Sequence, residues 1–235
     1  MTELSRFSMT WVKICGMTNL EDALAAVEAG ADAVGFVFYE KSPRCVSVER
    51  AREIVKNLPE SVEKVGVFAG DSLARVVEIG SVVGLDSLQV YPLSGPKSIS
   101  AAAGPDLPKQ NRLYFAFPME KFVSDDHAIT LDIMRSPKNT FVAILLDSGG
   151  TQQPGGTGLT FDWNEAVSVI AKLNRTEKVV IAGGLTPQNV GGAIDILQPW
   201  GVDVVSGVEA QPGKKDAEKV RAFVRAVREI DRRVG

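Results

Sequence analysis

Two side chains with opposite proton chemistry each stand where a predicted buried strand ends. Cys15 closes the run KIC, and Asp147 follows the apolar run FVAILL. A thiolate can accept a proton and a carboxylic acid can donate one, so the pair could act as general base and general acid on one substrate. Strand alternation puts Lys13 on the same side as Cys15, and its ammonium is expected to lower the thiol pKa from about 8.5. The alternatives are an inert buried cysteine and an aspartate that caps a solvated loop.

Polar residues at the ends of other predicted strands could hold that substrate. Gln89 ends the fourth strand, and Asp203 lies in the eighth, where it could accept hydrogen bonds from sugar hydroxyls or pair instead with Lys13. Arg44 follows the second strand within the sequence SPR. Its guanidinium fork could hold a carboxylate through two bonds, or it could be a solvated loop residue. Lys13, Arg44, Gln89 and Asp203 are the predicted substrate-binding set.

Three glycine clusters in the later loops predict a phosphate site. Glycine lets backbone amides approach an anion closely, and a helix N-terminus adds a favourable dipole. Each cluster alone could equally be a tight turn, but all three follow the last strands of the predicted fold. The predicted phosphate-binding residues are Gly156, Gly158, Gly183, Gly184, Ser206 and Gly207.

Composition and charge exclude several other classes of function. The chain has 235 residues, with 26 Lys and Arg against 29 Asp and Glu, so its net charge is −3. This leaves no basic surplus for a nucleic-acid backbone. The longest apolar runs have strand length, below the roughly 20 residues that span a bilayer, and no secretory signal precedes them. Neither a nucleic-acid nor a membrane partner is therefore expected.

The counts of histidine and cysteine limit metal and redox chemistry. His127 is the single histidine and lies beside Asp125 and Asp126 in a polar stretch. A histidine-based triad or a histidine-rich zinc site is hard to build from it, and it is expected on the surface. With only two cysteines, a disulfide framework has little support and a reducing cytoplasm is expected. Cys45 is expected to pack against its neighbours. No metal site is predicted.

Short β-branched or aromatic runs alternate with stretches of helical periodicity along almost the whole chain. Eight such strands with intervening helices fit either an open doubly wound sheet or a closed barrel, and the chain length and late glycines favour the barrel. We therefore predict an α/β fold, a single-domain (β/α)8 TIM barrel over residues 11–235, after an N-terminal extension at 1–10. The predicted strands are 12–15, 33–38, 63–68, 86–90, 112–117, 141–146, 178–182 and 202–205.

Capping signals and apolar stripes place the helices. Thr18 with Glu21 predicts a capping box, Asp71 and Asp162 precede helical segments, and Thr186-Pro187 predicts a further helix start. A helix with a less regular pattern is expected near 94–103, followed by a loop at 103–111. The last helix is predicted at about 214–230, with one apolar face made by Val220, Phe223, Val224 and Val227.

Several motifs together resemble the phosphoribosylanthranilate isomerase family of tryptophan biosynthesis. They occur in the family's order and cover nearly the whole chain: KICGMTNLEDALAAVEAGADAVGFVF, SPR, GGTGLTFDW, AGGLTPQNV and GVDVVSGVE. The resemblance implies a TIM barrel that converts N-(5-phosphoribosyl)anthranilate into the carboxyphenylamino deoxyribulose phosphate by an Amadori rearrangement. It also implies that no metal or organic cofactor takes part.

The resemblance assigns functions to individual residues. The cysteine of the ICG motif is the family's general base, which is Cys15 here, and the aspartate that closes strand six is its general acid, which is Asp147 here. The SPR arginine, here Arg44, is implied to bind the anthranilate carboxylate, and the late glycine loops to hold the phosphate. One departure is that the family's VQLHG reads LQVYP here, so Tyr91 replaces the histidine. Two others are the absence of a tyrosine before GGTG and Val205 where serine is typical.

The residue pattern alone is also compatible with other functions. A related histidine-pathway isomerase uses paired aspartates, whereas Cys15 ends the first strand here. Ribulose-phosphate epimerases resemble metal enzymes that use several histidines, which a chain with one histidine cannot supply. A non-catalytic barrel that binds phosphorylated ligands or a protein partner is a third possibility. The expected partner is a small phosphorylated sugar substrate, and both a monomer and a homodimer are compatible with the pattern.

Overall fold

A computed structural model describes residues 9–91, 112–119, 142–148, 160–174 and 177–234. The predicted helix near 94–103 and loop at 103–111, together with His127, Gly156 and Gly158, lie outside these ranges. No helix of the described residues is long and apolar enough to cross a membrane.

Eight parallel strands form a closed barrel in the order of the chain, with β8 hydrogen-bonded to β1. This confirms the predicted TIM barrel. Each strand lies within two residues of its predicted bounds, the largest difference being at the start of β6. The strands are β1 (Trp11–Cys15), β2 (Ala33–Val37), β3 (Glu63–Ala69), β4 (Ser87–Tyr91), β5 (Arg112–Pro118), β6 (Ala143–Asp147), β7 (Val179–Ile181) and β8 (Gly201–Val204).

Helices connect the strands, and a small hairpin follows β8. The helices are α1 (Leu20–Glu28), α2 (Val48–Val55), α3 (Leu73–Val83), α4 (Trp163–Leu173), α5 (Val190–Leu197) and α6 (Ala217–Val234). A 3-10 turn at Ser206–Val208 leads into the hairpin of β9 (Glu209–Gln211) and β10 (Lys214–Lys215). The last helix was therefore predicted to begin too early, because residues 214–215 form the second strand of this hairpin.

The predicted capping box at the start of α1 is wrong. The cap is Asn19, whose side chain accepts from the Asp22 backbone N–H at 2.8 Å. The neighbouring Thr18 instead donates its hydroxyl to the Gly213 carbonyl at 2.6 Å. A contact with the distant hairpin therefore takes the hydroxyl that the local pattern assigned to the helix.

Of the other predicted helix starts, one has the expected cap and two have their cap at a nearby residue. Asp162 caps α4 as predicted, with its carboxylate accepting from two backbone N–H groups of the first turn. Ser72 rather than Asp71 caps α3. The chain turns at Thr186, but α5 has its cap at Asn189.

Strand alternation divides the core into two layers. Ile14 and Leu146 pack between the barrel and its helices, in the layer that also buries the predicted apolar face of α6. Since neighbouring residues on a strand face opposite sides, Cys15 and Asp147 point into the barrel. The inner layer contains Ala33, Val65, Tyr114, Ala116, Ala143, Leu145, Val180 and Ala182.

Candidate active site

A cavity of about 700 Å³, including its open mouth, lies at the C-terminal end of the barrel strands. This is the end at which TIM barrels carry their active sites. Among the described residues its lining is Cys15, Val37, Tyr39, Ser42, Arg44, Val67, Ala69, Gln89, Tyr91, Asp147, Ala182, Gly183, Gly184, Leu185, Asp203, Val204, Val205 and Ser206.

The cavity brings together most of the residues selected from the sequence. The predicted acid and base both line it, as do three of the four predicted substrate-binding residues. Two predicted residues, Lys13 and Gly207, lie outside the lining, and Gly156 and Gly158 lie outside the described ranges. The predicted residues that line the cavity are Cys15, Arg44, Gln89, Asp147, Gly183, Gly184, Asp203 and Ser206.

Lys13 lies behind the cavity wall and pairs with Asp203. Its side chain has 0% exposure, and its Nζ is 2.8 Å from Asp203 Oδ2, across paired positions of β1 and β8. Burial alone would lower the pKa of Lys13, but the charges of Asp203 and Cys15 reverse this and raise it, so Lys13 remains an ammonium. Asp203 Oδ1, in contrast, is buried without a hydrogen-bond partner among the described residues. Asp203 therefore holds Lys13 with one oxygen and has the other available at the cavity, and Lys13 is not placed to contact a substrate.

Cys15 is almost completely buried, with 3% of its surface exposed. Its Sγ occupies space left by Gly35 of β2, where an added Cβ would lie 2.5 Å from Sγ and 3.0 Å from Lys13 Cε. Burial raises the pKa of the Cys15 thiol, and the nearby ammonium groups of Lys13 and Lys215 only partly offset this effect. The predicted direction of the shift is therefore wrong, because sequence spacing shows the lysine but not the desolvation.

Arg44 is not a solvated loop residue, and part of its guanidinium group is already bound within the protein. Its Nε and Nη2 donate to the two carboxylate oxygens of Glu209 at 3.1 and 2.7 Å. A guanidinium has five N–H groups, so three have no partner within the described ranges and could bind a ligand in the cavity. The nearby Cys45 is exposed, not packed as predicted.

Glu209 is a site residue that sequence reasoning missed. It also accepts from Lys215 Nζ at 3.1 Å, and Lys215 Nζ donates to the Val205 carbonyl at 3.0 Å. Burial would raise the pKa of Glu209, but hydrogen bonds from Arg44 and the charge of Lys215 outweigh it and lower the pKa. Glu209 ends the motif GVDVVSGVE, which signals its presence but not its partner, Arg44, 165 residues away.

Tyr91 and Gln89 project from the end of β4. The Tyr91 hydroxyl donates to Asp147 Oδ2 at 3.0 Å. Burial raises the pKa of Tyr91 well above its ordinary value, and the Asp147 charge raises it further, so the phenol remains a donor. Gln89 is 2% exposed, and its Oε1 has no hydrogen-bond partner within the described ranges. This oxygen is a second acceptor available at the cavity.

The loop after β7 lies so close to the chain after β6 on one side and to the loop after β8 on the other that two glycines are required. Gly183 has φ of +86°, and an added Cβ would lie 2.0 Å from Ser148 Oγ. At Gly207 an added Cβ would lie 1.8 Å from the Leu185 carbonyl oxygen. Gly207 thus lets the two loops pack together, while Gly183 and its neighbour Gly184 form cavity wall.

The described residues contain no group of three or more histidine, cysteine, aspartate or glutamate side chains arranged to hold a metal ion.

Comparisons with known proteins agree on one family. The profile of the family described as N-(5'phosphoribosyl)anthranilate (PRA) isomerase matches residues 12–226. An N-(5'-phosphoribosyl)anthranilate isomerase from Pelobacter propionicus is 42% identical over 221 residues, covering 94% of this chain and 97% of the relative.

Solved structures give the same result. The phosphoribosyl anthranilate isomerase of Thermotoga maritima has a TM-score of 0.77 at 37% identity, over 94% of this chain and 100% of that one. A second structure of such an isomerase, in complex with reduced 1-(o-carboxyphenylamino)-1-deoxyribulose 5-phosphate, has a TM-score of 0.74, with the same identity and coverage. The chain belongs to the N-(5'-phosphoribosyl)anthranilate isomerase family.

Proposed function

We propose that this protein isomerises N-(5'-phosphoribosyl)anthranilate to 1-(2-carboxyphenylamino)-1-deoxyribulose 5-phosphate in tryptophan biosynthesis, with Cys15 as base and Asp147 as acid. The observation that carries the proposal is the single cavity that contains both groups together with the Arg44 guanidinium. The reaction is an internal redox exchange within one substrate, so an acid and a base suffice.

The first step opens the ribose ring. Asp147 donates a proton to the ring oxygen, the bond from that oxygen to the first sugar carbon breaks, and the nitrogen lone pair forms a C=N bond. The Cys15 thiolate then removes the proton from the second sugar carbon. The resulting enol becomes the ketone when its hydroxyl proton passes to the Asp147 carboxylate and the Cys15 thiol returns a proton to the first carbon, which restores the acid and the base. Atoms and electrons balance within the substrate.

The raised pKa of Cys15 sets the conditions for this step. At neutral pH the thiolate is the minor form in the unliganded protein. A thiolate with a raised pKa is also a stronger base, which partly compensates for its small population. The buried ammonium groups of Lys13 and Lys215 favour the ionised form. We therefore assign Lys13 to the support of Cys15 and Asp203.

Both ends of the substrate find complementary groups. The three uncommitted N–H groups of Arg44 suit the anthranilate carboxylate. Asp203 Oδ1 and Gln89 Oε1 can accept hydrogen bonds from the sugar hydroxyls. The cavity wall at Gly183, Gly184 and Ser206 suits the phosphate. Gly156 and Gly158, outside the described residues, remain predicted phosphate-binding residues. Holding both ends places the sugar between acid and base and lowers the entropic part of the barrier.

The test follows the fluorescence of the anthranilate substrate, which is generated in place from anthranilate, phosphoribosyl pyrophosphate and a phosphoribosyltransferase. Cys15→Ala should lower kcat by about 10²- to 10⁴-fold, the usual contribution of a general base. Binding of the reduced product analogue, measured by calorimetry, should be largely retained. The matched control is Cys45→Ala, which removes an exposed thiol and should keep wild-type turnover. Full activity of Cys15→Ala would exclude the base assignment.

A cytoplasmic location and a monomeric or homodimeric state remain predictions from the sequence.

A further inference from the structure

The hydroxyl of Tyr91 is directed at the carboxyl group that the proposed function makes the acid. Tyr91 is the last residue of β4, and Asp147 is the last residue of β6. Both line the cavity, and the hydroxyl lies 3.0 Å from Asp147 Oδ2. The contact therefore joins two non-adjacent strands at the level where the substrate would lie.

The electrostatics of Tyr91 keep it a donor. Burial, followed by the charges of Asp147, Asp203 and Cys15, holds the pKa of the phenol well above its ordinary value. These three groups come from β6, β8 and β1. A neutral phenol has one O–H donor, and here it points to a carboxylate oxygen. A hydrogen bond to a charged acceptor is stronger than one to a neutral acceptor.

We propose that Tyr91 is a positioning residue for Asp147, whose carboxyl group it orients towards the ring oxygen of the substrate. The inference rests on the proposed function. When Asp147 gives up its proton, a carboxylate remains inside the barrel, and the Tyr91 hydroxyl stabilises it. The bond is therefore stronger after proton transfer than before, which is the condition for lowering the barrier to the chemical step.

The same position distinguishes this chain from the family motif. Tyr91 stands where the motif VQLHG has histidine, and an imidazole N–H can also donate to a carboxylate. Phenylalanine keeps the ring but has no donor. The two substitutions Tyr91→Phe and Tyr91→His therefore separate the hydrogen bond from the bulk of the side chain.

The experiment measures kcat and KM between pH 5 and pH 10 for the wild type, Tyr91→Phe and Tyr91→His. The control is Tyr114→Phe, which removes a buried hydroxyl bonded to the Glu63 carboxylate at the opposite end of the barrel. We expect Tyr91→Phe to lower kcat about tenfold with little change in KM, the effect of one hydrogen bond to a charged group. Without the donor, the carboxylate that Asp147 becomes after proton transfer is less stable, so the loss should appear in kcat and not in KM.

The variants then decide between a positioning and a merely structural effect. Tyr91→His should recover most of the lost kcat, while Tyr114→Phe should lower the melting temperature and leave kcat and the pH profile unchanged. Wild-type kcat in Tyr91→Phe would overturn the inference. So would a loss of kcat in Tyr114→Phe that matches the loss in Tyr91→Phe. A wild-type protein without turnover would instead reject the proposed function, so the two failures are distinct.

Discussion

The Lys13 ammonium lies 2.8 Å from Asp203 and beside the Cys15 sulfur, so it pairs with the carboxylate and favours ionisation of the thiol. The three side chains come from two strands joined at the seam between the first and last strand of the barrel. Asp203 and Cys15 compete for one cation, so ionisation of the thiol is opposed by Asp203 as well as by burial. The positive charge of Lys13, which favours the thiolate most, is therefore already partly neutralised by Asp203.

This arrangement predicts an alkaline titration of Cys15. In a Cys45→Ser variant, which leaves one thiol, absorbance at 240 nm should report a midpoint above the ordinary value of about 8.5. Lys13→Met should raise the midpoint further, because it removes the nearest cation. Thiolate formation in the neutral range would contradict the burial argument.

Glu209 predicts an acid-dependent loss of stability. Its pKa is lower in the folded protein than in the unfolded chain, so its stabilising contribution is present above the unfolded value of about 4.3 and disappears as the pH falls through the folded value. Glu209→Gln leaves Arg44 and the buried Lys215 without their carboxylate and should reduce the free energy of unfolding by about 3 kcal/mol at pH 7. It should also raise KM, because Arg44 is no longer held.

Urea denaturation at pH 7 and pH 4 checks this, and the gap between Glu209→Gln and the wild type should narrow at pH 4. Glu218→Gln is the matched control, since Glu218 forms an exposed pair with Arg221 on α6 and should cost less than about 1 kcal/mol. An equal effect of both substitutions would show that burial of Glu209 is unimportant.

At the scale of the strands and helices, the thiol of Cys15 depends on a missing side chain in the next strand. Gly35 of β2 pairs with Cys15 of β1, and the Cys15 Sγ lies where a Cβ of residue 35 would be. β2 thus contributes to the site by having no side chain at this point. A search for chemically reactive residues would pass over such a position.

Gly35→Ala should therefore impair the reaction without removing any reactive group. The added methyl would lie 2.5 Å from Sγ and 3.0 Å from Lys13 Cε, so both must move. We expect kcat to fall at least tenfold and stability to fall by about 1–3 kcal/mol, the range for overpacking. The control Gly192→Ala meets only Trp163 at 3.7 Å and, in a helix, should stabilise by about 0.5–1 kcal/mol. Unchanged kcat in Gly35→Ala would show that the thiol tolerates displacement.

The elements also show what the sequence could predict. The strands were predicted within two residues because each is an apolar run bounded by polar residues and turns. Helix starts were less predictable, since Thr18 and Asn19 are both competent caps and the choice depends on the Gly213 carbonyl. Cys15 and Asp147 could be placed in one cavity from the sequence, because each ends a strand of the barrel. The pairing of Arg44 with Glu209 could not, because it joins side chains 165 residues apart in the chain.

Across the whole molecule, a second group of stabilising contacts lies at the end of the barrel opposite the cavity. Arg228 of α6 donates to the carbonyls of Thr10 and Gly30 and to the carboxylates of Asp32 and Asp231, near the starts of β1 and β2. At the same end, Trp11 stacks between Tyr114 and Trp200 with ring centroids 5.6 and 5.2 Å away. This division is common in TIM barrels, where one end carries function and the other stability.

Arg228→Met should therefore separate the two properties. It removes several hydrogen bonds to carbonyls and carboxylates, and the free energy of unfolding should fall by about 2–3 kcal/mol, with kcat unchanged at temperatures where the protein stays folded. Thermal denaturation and turnover at 25 °C measure the two effects. The exposed pair of Arg233 with Asp195 provides the control, since Arg233→Met should change stability by less than about 1 kcal/mol. A lowered kcat in Arg228→Met would show that the two ends are coupled.

The seam between β1 and β8 joins residues 190 positions apart, at Lys13 and Asp203. Contacts of such long range form late in folding, because the intervening chain must first be ordered. Most of the sheet can pair between sequential neighbours without this seam, but Lys13 obtains its pairing with Asp203, and Cys15 its place opposite Asp147, only when the barrel is closed. During refolding, recovery of turnover therefore reports closure of the barrel between β1 and β8. Far-ultraviolet circular dichroism instead reports strand pairing anywhere in the sheet.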